Sequence, residues 1–150
     1  LKNGPMHRSE AIYNLAFGAY NKRIEPLRTQ YDWLTRDEAV VDKYAADPLC
    51  TFIPTSSLMR DMMFGLGIIG SASALRRMRR DVPVLFISGE ADPVGGYGMQ
   101  VARVYASFVK AGLADVAYKF YPEARHELLN EINRDEVYQD ILDWLFKKLD

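Results

Sequence analysis

The amino-acid sequence predicts an α/β protein whose second half is a β–α–β–α unit. Residues 84–87 form an unbroken apolar run, Val-Leu-Phe-Ile, which is typical of a strand covered on both faces of a parallel sheet. Alternating apolar residues over 116–120 indicate a second strand, which Pro122 ends. Apolar residues at helical spacing over 101–109 separate the two strands. We therefore expect parallel strands joined by a right-handed helical crossover.

Residues 1–80, which precede this unit, show mostly helical spacing and few β-branched runs. Thr35 and Glu38 have the spacing of a capping box, which predicts a helix that starts there and ends before Pro48. A second helix is expected from about Ser56, with one apolar stripe formed by Leu58, Met62, Leu66 and Ile69. Methionines at such spacing commonly fill a core, and the alternative is a deformable lining for an apolar ligand.

Residues 81–150 are expected to form the β–α–β–α unit as a separate region. Gly112 lies where the first helix of this unit ends and where positive φ is needed. Asn133 and Glu136 have the spacing that caps a last helix. The apolar residues expected to be buried by that helix are Val137, Ile141, Trp144 and Leu145.

Composition and charge exclude several classes of protein. The 150 residues carry 19 basic and 20 acidic side chains, and this balance argues against a nucleic-acid partner. No apolar run approaches the roughly 20 residues of a transmembrane helix. The single cysteine, Cys50, excludes an internal disulfide framework and favours a cytoplasmic location. Two histidines and one cysteine argue against a structural zinc site, and no metal or organic cofactor is indicated.

One candidate site is a literal G-x-G-x-x-G between Gly65 and Gly70, with Glu90 about 20 residues further on. This pattern resembles a dinucleotide-binding fingerprint and raises the alternative of a nucleotide-binding or non-catalytic interaction module. The fingerprint requires a strand directly before the first glycine. Residues 58–64 contain no β-branched residue and carry a charge pair, so a strand is not expected there.

The second candidate site is formed by Asp92 and His126, each of which follows one of the two predicted strands. Pro93 disfavours helical backbone at Asp92, which holds the carboxylate in an extended loop. Because the strands are expected to be parallel neighbours, both loops emerge at the same sheet edge, where open α/β sheets bind ligands. A carboxylate facing a histidine fixes the imidazole tautomer, and the other ring nitrogen is then available as a general base.

The segments around these two residues resemble known loops. FISGEADPVG at 86–95 and YPEARHE at 121–127 resemble the acid and histidine loops of the α/β-hydrolase family, closest to its lysophospholipase and monoacylglycerol-lipase-like branch. The segments 20–23, 28–29, 32–34 and 47–50 resemble that branch's helical cap, and 130–137 resembles its final loop and helix. The resemblance covers essentially the whole chain.

This resemblance implies the C-terminal part of an α/β-hydrolase fold, namely its last two parallel strands with flanking helices, preceded by a helical cap over residues 1–80. Asp92 and His126 would be the acid and base of a Ser–Asp–His triad that cleaves carboxylic esters. The substrate would be a small-molecule acyl ester, and lysophospholipid, monoacylglycerol, a smaller ester and a peptide-like amide all stay open. The residues expected to contact it are Val94, Phe52, Leu58 and Met62.

The sequence departs from the family at the nucleophile. No G-x-S-x-G precedes Asp92, and the nearest stretch, GSASA from residue 70, lacks the second glycine. We therefore expect a fragment whose serine lies in a missing N-terminal half and which is inactive alone. An uncovered strand edge would pair either with that half or with another copy of the chain.

Overall fold

The computed structural model describes residues 4–149 and has helices in its first half and an α/β unit in its second half. A two-stranded sheet stands between helices, and a short 3-10 turn, Leu128–Asn130, precedes the last helix. In chain order the elements are α1 (Glu10–Phe17), α2 (Glu38–Ala46), α3 (Ser56–Ile69), α4 (Ala72–Arg76), β1 (Val84–Gly89), α5 (Met99–Lys110), β2 (Val116–Tyr121) and α6 (Arg134–Leu149).

The two strands pair in parallel, as the sequence predicts. Val84 lies opposite Val116 at one end, and Gly89 lies opposite Tyr121 at the other, so both strands end at the same edge. Between them α5 packs on the sheet through edge-to-face aromatic pairs, with the Phe86 and Phe108 ring centroids 5.0 Å apart. The helix ends before Gly112, whose φ of +87° confirms the expected left-handed residue.

The first half is helical, and among its described residues the only β pairing is an isolated antiparallel bridge between Arg8 and Thr55. The predicted helix from Ser56 is confirmed, and the Thr55 hydroxyl caps it by accepting from the Leu58 amide. No helix within 4–149 is both long and apolar enough to cross a bilayer.

The predicted capping box at the start of α2 is wrong. Asp37, not Thr35, is the N-cap, and its carboxylate accepts hydrogen bonds from the Ala39 and Val40 amides. Thr35 is fully buried and donates its hydroxyl to the Asn130 carbonyl, 95 residues away in sequence. Thr35 and Asp37 are both good capping residues, and the hydrogen bond from Thr35 to Asn130 leaves Asp37 as the cap.

The glycines of the G-x-G-x-x-G pattern do not form a phosphate-binding loop. Residues 58–64 are helical, Gly65 and Gly67 lie inside α3, and Gly70 ends that helix. No strand therefore precedes the pattern, and no helix N-terminus is presented to a ligand there. The nucleotide-binding alternative therefore lacks the strand that it requires, and nothing in the structure supports a non-catalytic interaction module built on Gly65–Gly70.

Two apolar stripes are less buried than their spacing suggests. On α3, Met59 is buried, whereas Leu58, Met62, Leu66 and Ile69 are 42–66% exposed, so most of this stripe does not fill a core. On α6, Val137 is fully buried and Ile141 and Trp144 are half-buried, but Leu145 is 42% exposed. The expected burial of Leu145 is wrong because a two-stranded sheet is too narrow to cover the whole 16-residue helix.

Two small cores support the loops at the carboxyl edge of the sheet. The first lies at the end of β2 and joins it to α6; it consists of Tyr121, Ala124, Leu128 and Val137, with Ile87 and Ile141 packed against it. The second consists of Tyr31, Leu34 and Val41, with Trp33 and Tyr44 packed against it. The loop that carries His126 contributes Ala124 to the first cluster and binds the Trp33 and Leu34 carbonyls of the second through its backbone.

Candidate active site

Asp92 lies in the loop that follows β1 and is only 6% exposed. Its Oδ1 accepts a 2.8 Å hydrogen bond from the Val94 amide, two residues further on, in the turn that Pro93 begins. Its Oδ2 lies 3.1 Å from Nδ1 of His126. The first contact fixes the carboxylate, and the second aims it at the imidazole.

His126 lies in the loop that follows β2 and is held by the segment before α2. Its amide donates to the Trp33 carbonyl at 3.4 Å, and the Glu127 amide donates to the Leu34 carbonyl at 2.7 Å. The imidazole packs against the Trp33 indole with ring centroids 5.2 Å apart. Backbone and ring are therefore both positioned by residues about 90 positions earlier in the chain.

The hydrogen bond between the two side chains fixes the histidine tautomer. An ionised carboxylate only accepts, so Nδ1 of His126 carries the proton and donates it to Asp92. Nε2 is then the nitrogen that bears a lone pair. The His126 side chain is 38% exposed, whereas Asp92 is buried behind it, so the imidazole is the member of the pair that solvent or substrate reaches.

The electrostatics of the site favour the charged imidazolium. The hydrogen bond to Asp92 raises the pKa of His126 above its usual value, partial burial opposes this, and the negative charges of Asp92 and Glu127 reinforce it. Burial raises the pKa of the Tyr20 hydroxyl, and the Asp92 charge adds to this effect. An imidazolium formed during a reaction would therefore be stabilised here.

The two loops are joined by backbone hydrogen bonds at the carboxyl edge of the sheet. The Glu90 amide donates to the Tyr121 carbonyl at 3.0 Å, and the Ala91 amide donates to the Ala124 carbonyl at 2.9 Å. Gly89 permits this approach, because a Cβ at that position would lie 2.0 Å from the Ala124 oxygen. The edge predicted from parallel topology thus brings Asp92 and His126 together.

A row of aromatic rings leads from His126 into the helical half. Trp33 contacts Tyr20 with centroids 5.0 Å apart, and Tyr20 contacts Phe17 with centroids 5.8 Å apart. Phe17 and Tyr20 also line an apolar cleft of about 540 Å³ between α1 and α3. The other cleft residues are Ile12, Leu15, Ala16, Ser56, Met59, Arg60, Met62, Met63 and Leu66. The cleft and the imidazole are therefore linked by direct ring contacts.

The predicted substrate contacts divide into two groups. Met62 lines the apolar cleft, and Val94 lies beside Asp92 with 41% of its surface exposed. Phe52 and Leu58 are both about half exposed but do not line the cleft. Tyr20, which contacts the Trp33 ring beside His126, is a neighbour of the site that the sequence did not predict, because the contact is tertiary. Across residues 4–149, no group of three or more His, Cys, Asp or Glu side chains is placed to hold a metal ion.

Comparison with known proteins defines the class. Residues 5–133 match the α/β-hydrolase family described as serine aminopeptidase, S33, and the chain belongs to this family. Over 121 residues the chain is 30% identical to the monoacylglycerol lipase of Mycolicibacterium smegmatis, a match that covers 79% of this chain and 40% of that protein. The chain therefore spans less than half the length of this relative.

Solved structures confirm the predicted fold. A highly thermostable carboxyl esterase from Bacillus coagulans matches with a TM-score of 0.87 at 28% identity, over 97% of this chain and 48% of that one. A lipase in its open form matches with a TM-score of 0.82 at 21% identity, over 97% and 48% of the two chains. A soluble variant of the Saccharomyces cerevisiae monoglyceride lipase matches with a TM-score of 0.61 at 20% identity, over 95% and 53%. The chain has the architecture of about half of an α/β-hydrolase.

Proposed function

We propose that this chain supplies the acid, Asp92, and the base, His126, of a Ser–Asp–His triad that hydrolyses carboxylic esters. The observation that carries the proposal is the 3.1 Å contact between Asp92 Oδ2 and His126 Nδ1 at the carboxyl edge of parallel strands. Membership of an esterase and lipase-type family supports the same chemistry. The serine that completes the triad lies outside these 150 residues in this proposal.

The chemistry follows from the tautomer. Nε2 of His126 accepts the serine hydroxyl proton as the oxygen attacks the ester carbonyl, and Asp92 stabilises the imidazolium that forms. His126 then returns the proton to the departing alcohol oxygen, which leaves an acyl-enzyme. In the second half of the cycle a water molecule gives its proton to Nε2 and attacks the acyl carbonyl. His126 returns that proton to the serine oxygen as the acyl–oxygen bond breaks, and the free acid is released.

The substrate proposed is an ester with an apolar acyl group. The cleft between α1 and α3 has the volume of a small-molecule site and is lined mostly by apolar side chains. It adjoins the Asp92–His126 pair, called the dyad below, through Tyr20 and Trp33. The methionines of α3 would adapt to chains of different shape. In this proposal the helical first half acts as the cap, and Met62 and Val94 are better placed substrate contacts than Phe52 and Leu58.

The serine in the nearest sequence match to a nucleophile elbow is engaged as a helix cap. This serine, Ser71, caps α4 by accepting from the Ala74 amide and donates to the Ile68 carbonyl. We therefore expect no labelling when the 150-residue chain alone is treated with a fluorophosphonate probe. Labelling of the chain would contradict the proposed origin of the serine.

A chimera tests the function directly. The part of the Bacillus coagulans carboxyl esterase that this chain does not match would be joined to residues 4–149 and assayed with p-nitrophenyl esters. We expect hydrolysis that falls by about 10⁴-fold in the Asp92→Asn variant, because the imidazole then adopts the wrong tautomer. Met62→Ala is the control and should alter acyl-chain preference while the reaction persists. A chimera that stays fully active with Ala at position 126 would refute the proposal.

A further inference from the structure

Glu131 is a charged side chain that the proposed reaction does not use, yet it is fully buried. Buried carboxylates are rare unless they are paired and saturated with hydrogen bonds. Oε1 accepts from the Arg125 amide at 2.8 Å and from the Arg36 amide at 3.2 Å. Oε2 accepts from Nε of Arg36 at 2.9 Å and from the Ile132 amide at 3.1 Å. Its four acceptor positions are all occupied.

The donors belong to two different parts of the molecule. Arg125 directly precedes His126, and Arg36 directly precedes the cap of α2. Glu131 therefore bridges the histidine loop and the segment of residues 32–37, which we call the brace. The Arg125 guanidinium strengthens the bridge, because its Nη1 donates to the Asp32 carbonyl at 2.6 Å and to the Thr35 carbonyl at 3.1 Å.

The same brace supplies the backbone partners of the histidine. Trp33 and Leu34 accept the hydrogen bonds of the His126 and Glu127 amides, and the Trp33 ring packs against the imidazole. Movement of the brace relative to the loop would displace the imidazole. Asp92 lies on a different loop, tied to the end of β1. The contact between the two side chains therefore depends on how firmly the brace and the histidine loop are joined.

We propose that Glu131 is a positioning residue, which holds His126 in register with Asp92 by joining the histidine loop to the brace. This inference rests on the proposed role of His126 as the base. The carboxylate is required because every oxygen faces N–H donors. Glutamine at this position would replace one carboxylate oxygen by an NH₂ group, which would face two N–H donors and leave both without an acceptor. The side chain acts through the Arg125 and Arg36 contacts and touches no reacting atom.

A histidine titration tests the proposal on the chain itself. His7 and His126 are its only histidines, so the ring Cε1 protons give two resonances, and His7 serves as an internal reference. In Glu131→Gln we expect the pKa of His126 to fall towards the ordinary imidazole value of 6.5, because the Asp92 hydrogen bond is weakened. Amide exchange at residues 126 and 127 should accelerate about tenfold, the equivalent of one weakened hydrogen bond.

A matched destabilised variant separates positioning from general loosening. Leu113 is buried before the amino end of β2, at the opposite end of that strand from His126. Leu113→Ala should lower the stability and leave the pKa of His126 in place. An unchanged pKa in folded Glu131→Gln, or equal shifts in both variants, would overturn the proposal. If Glu131→Gln does not fold, Arg36→Lys replaces it, since lysine lacks the Nε donor; a downward shift supports the proposal and no shift overturns it.

Titration of the Asp92→Asn variant separates this inference from the proposed function. If Asp92→Asn leaves the pKa of His126 unchanged, the acid–base pair does not exist in solution and the proposed function fails. If Asp92→Asn lowers that pKa and Glu131→Gln does not, the pair stands and the positioning role alone fails.

Discussion

Gly89→Ala should uncouple the two loops that carry Asp92 and His126. Gly89 ends β1, is buried, and faces the backbone of the histidine loop. An added Cβ would lie 2.0 Å from the Ala124 carbonyl oxygen and 2.3 Å from that of Arg125. Both contacts are to backbone, so no side-chain rotation relieves them. The methyl group must therefore push apart the segments that carry Asp92 and His126.

The size of the displacement follows from these distances. A carbon and an oxygen atom need a little over 3 Å, so the histidine loop must retreat by roughly 1 Å or more. The Asp92–His126 hydrogen bond is 3.1 Å long, and this shift takes it beyond hydrogen-bond range. Overpacking of this kind costs about 1–3 kcal/mol in the free energy of unfolding. A misplacement of about 1 Å at catalytic groups costs about 10²-fold in rate.

Two measurements on the 150-residue chain check this expectation. Urea denaturation should give a free energy of unfolding lower by about 1–3 kcal/mol, and the pKa of His126 should fall towards 6.5. Gly67→Ala is the matched control, because it adds the same methyl group inside α3, where nothing lies within 4 Å of the new Cβ. That variant should be more stable by about 0.5–1 kcal/mol, with the pKa of His126 unchanged.

The two glycine variants are expected to change the free energy of unfolding in opposite directions. If Gly89→Ala keeps both the stability and the pKa of His126, the close approach of the loops does not hold the dyad together. Equal destabilisation by Gly67→Ala would show that the added methyl group acts through something other than the contacts at Gly89.

Two further outcomes follow from the dyad and from the sheet. Asp92→Asn should lower the pKa of His126 to its ordinary value or below, because partial burial is then unopposed by the carboxylate. A histidine pKa raised by folding adds stability that is complete below pH 6.5 and is lost as the pH rises through the folded value, so this pH dependence should disappear from the unfolding curves of the variant. Within residues 4–149, β1 pairs with β2 on one side only, and we expect its open edge to promote self-association; a single monomeric species in sedimentation velocity across the micromolar range would contradict this.

The second half of the chain was predictable because its signals are local. The apolar run at 84–87, the alternation at 116–120 and the helix between them each reflect a short-range pattern, and Gly112 marks a required left-handed residue. Parallel pairing then follows from topology alone. The capping residue of α2 was not predictable, since Thr35 and Asp37 both suit the role and a hydrogen bond to Asn130 decides between them.

Burial was less predictable than secondary structure. The α3 stripe has the spacing of a core-facing helix, yet most of it borders an apolar cleft or solvent. Spacing shows which residues share a helix face, and it does not show what lies opposite that face. The same limit applies to Leu145, which shares a face with Val137 but extends beyond the sheet. The cytoplasmic location expected from Cys50 stays a prediction.

The sequence by itself determined which residues could act as acid and base. Asp92 and His126 each follow a strand, and parallel strands end at one edge, so their proximity required no knowledge of packing. Only the tertiary structure decided how that proximity is maintained. Arg36 binds Glu131 across 95 residues of sequence, and Trp33 holds His126 across a similar separation. Contacts at such separations leave no periodic signal in a single sequence.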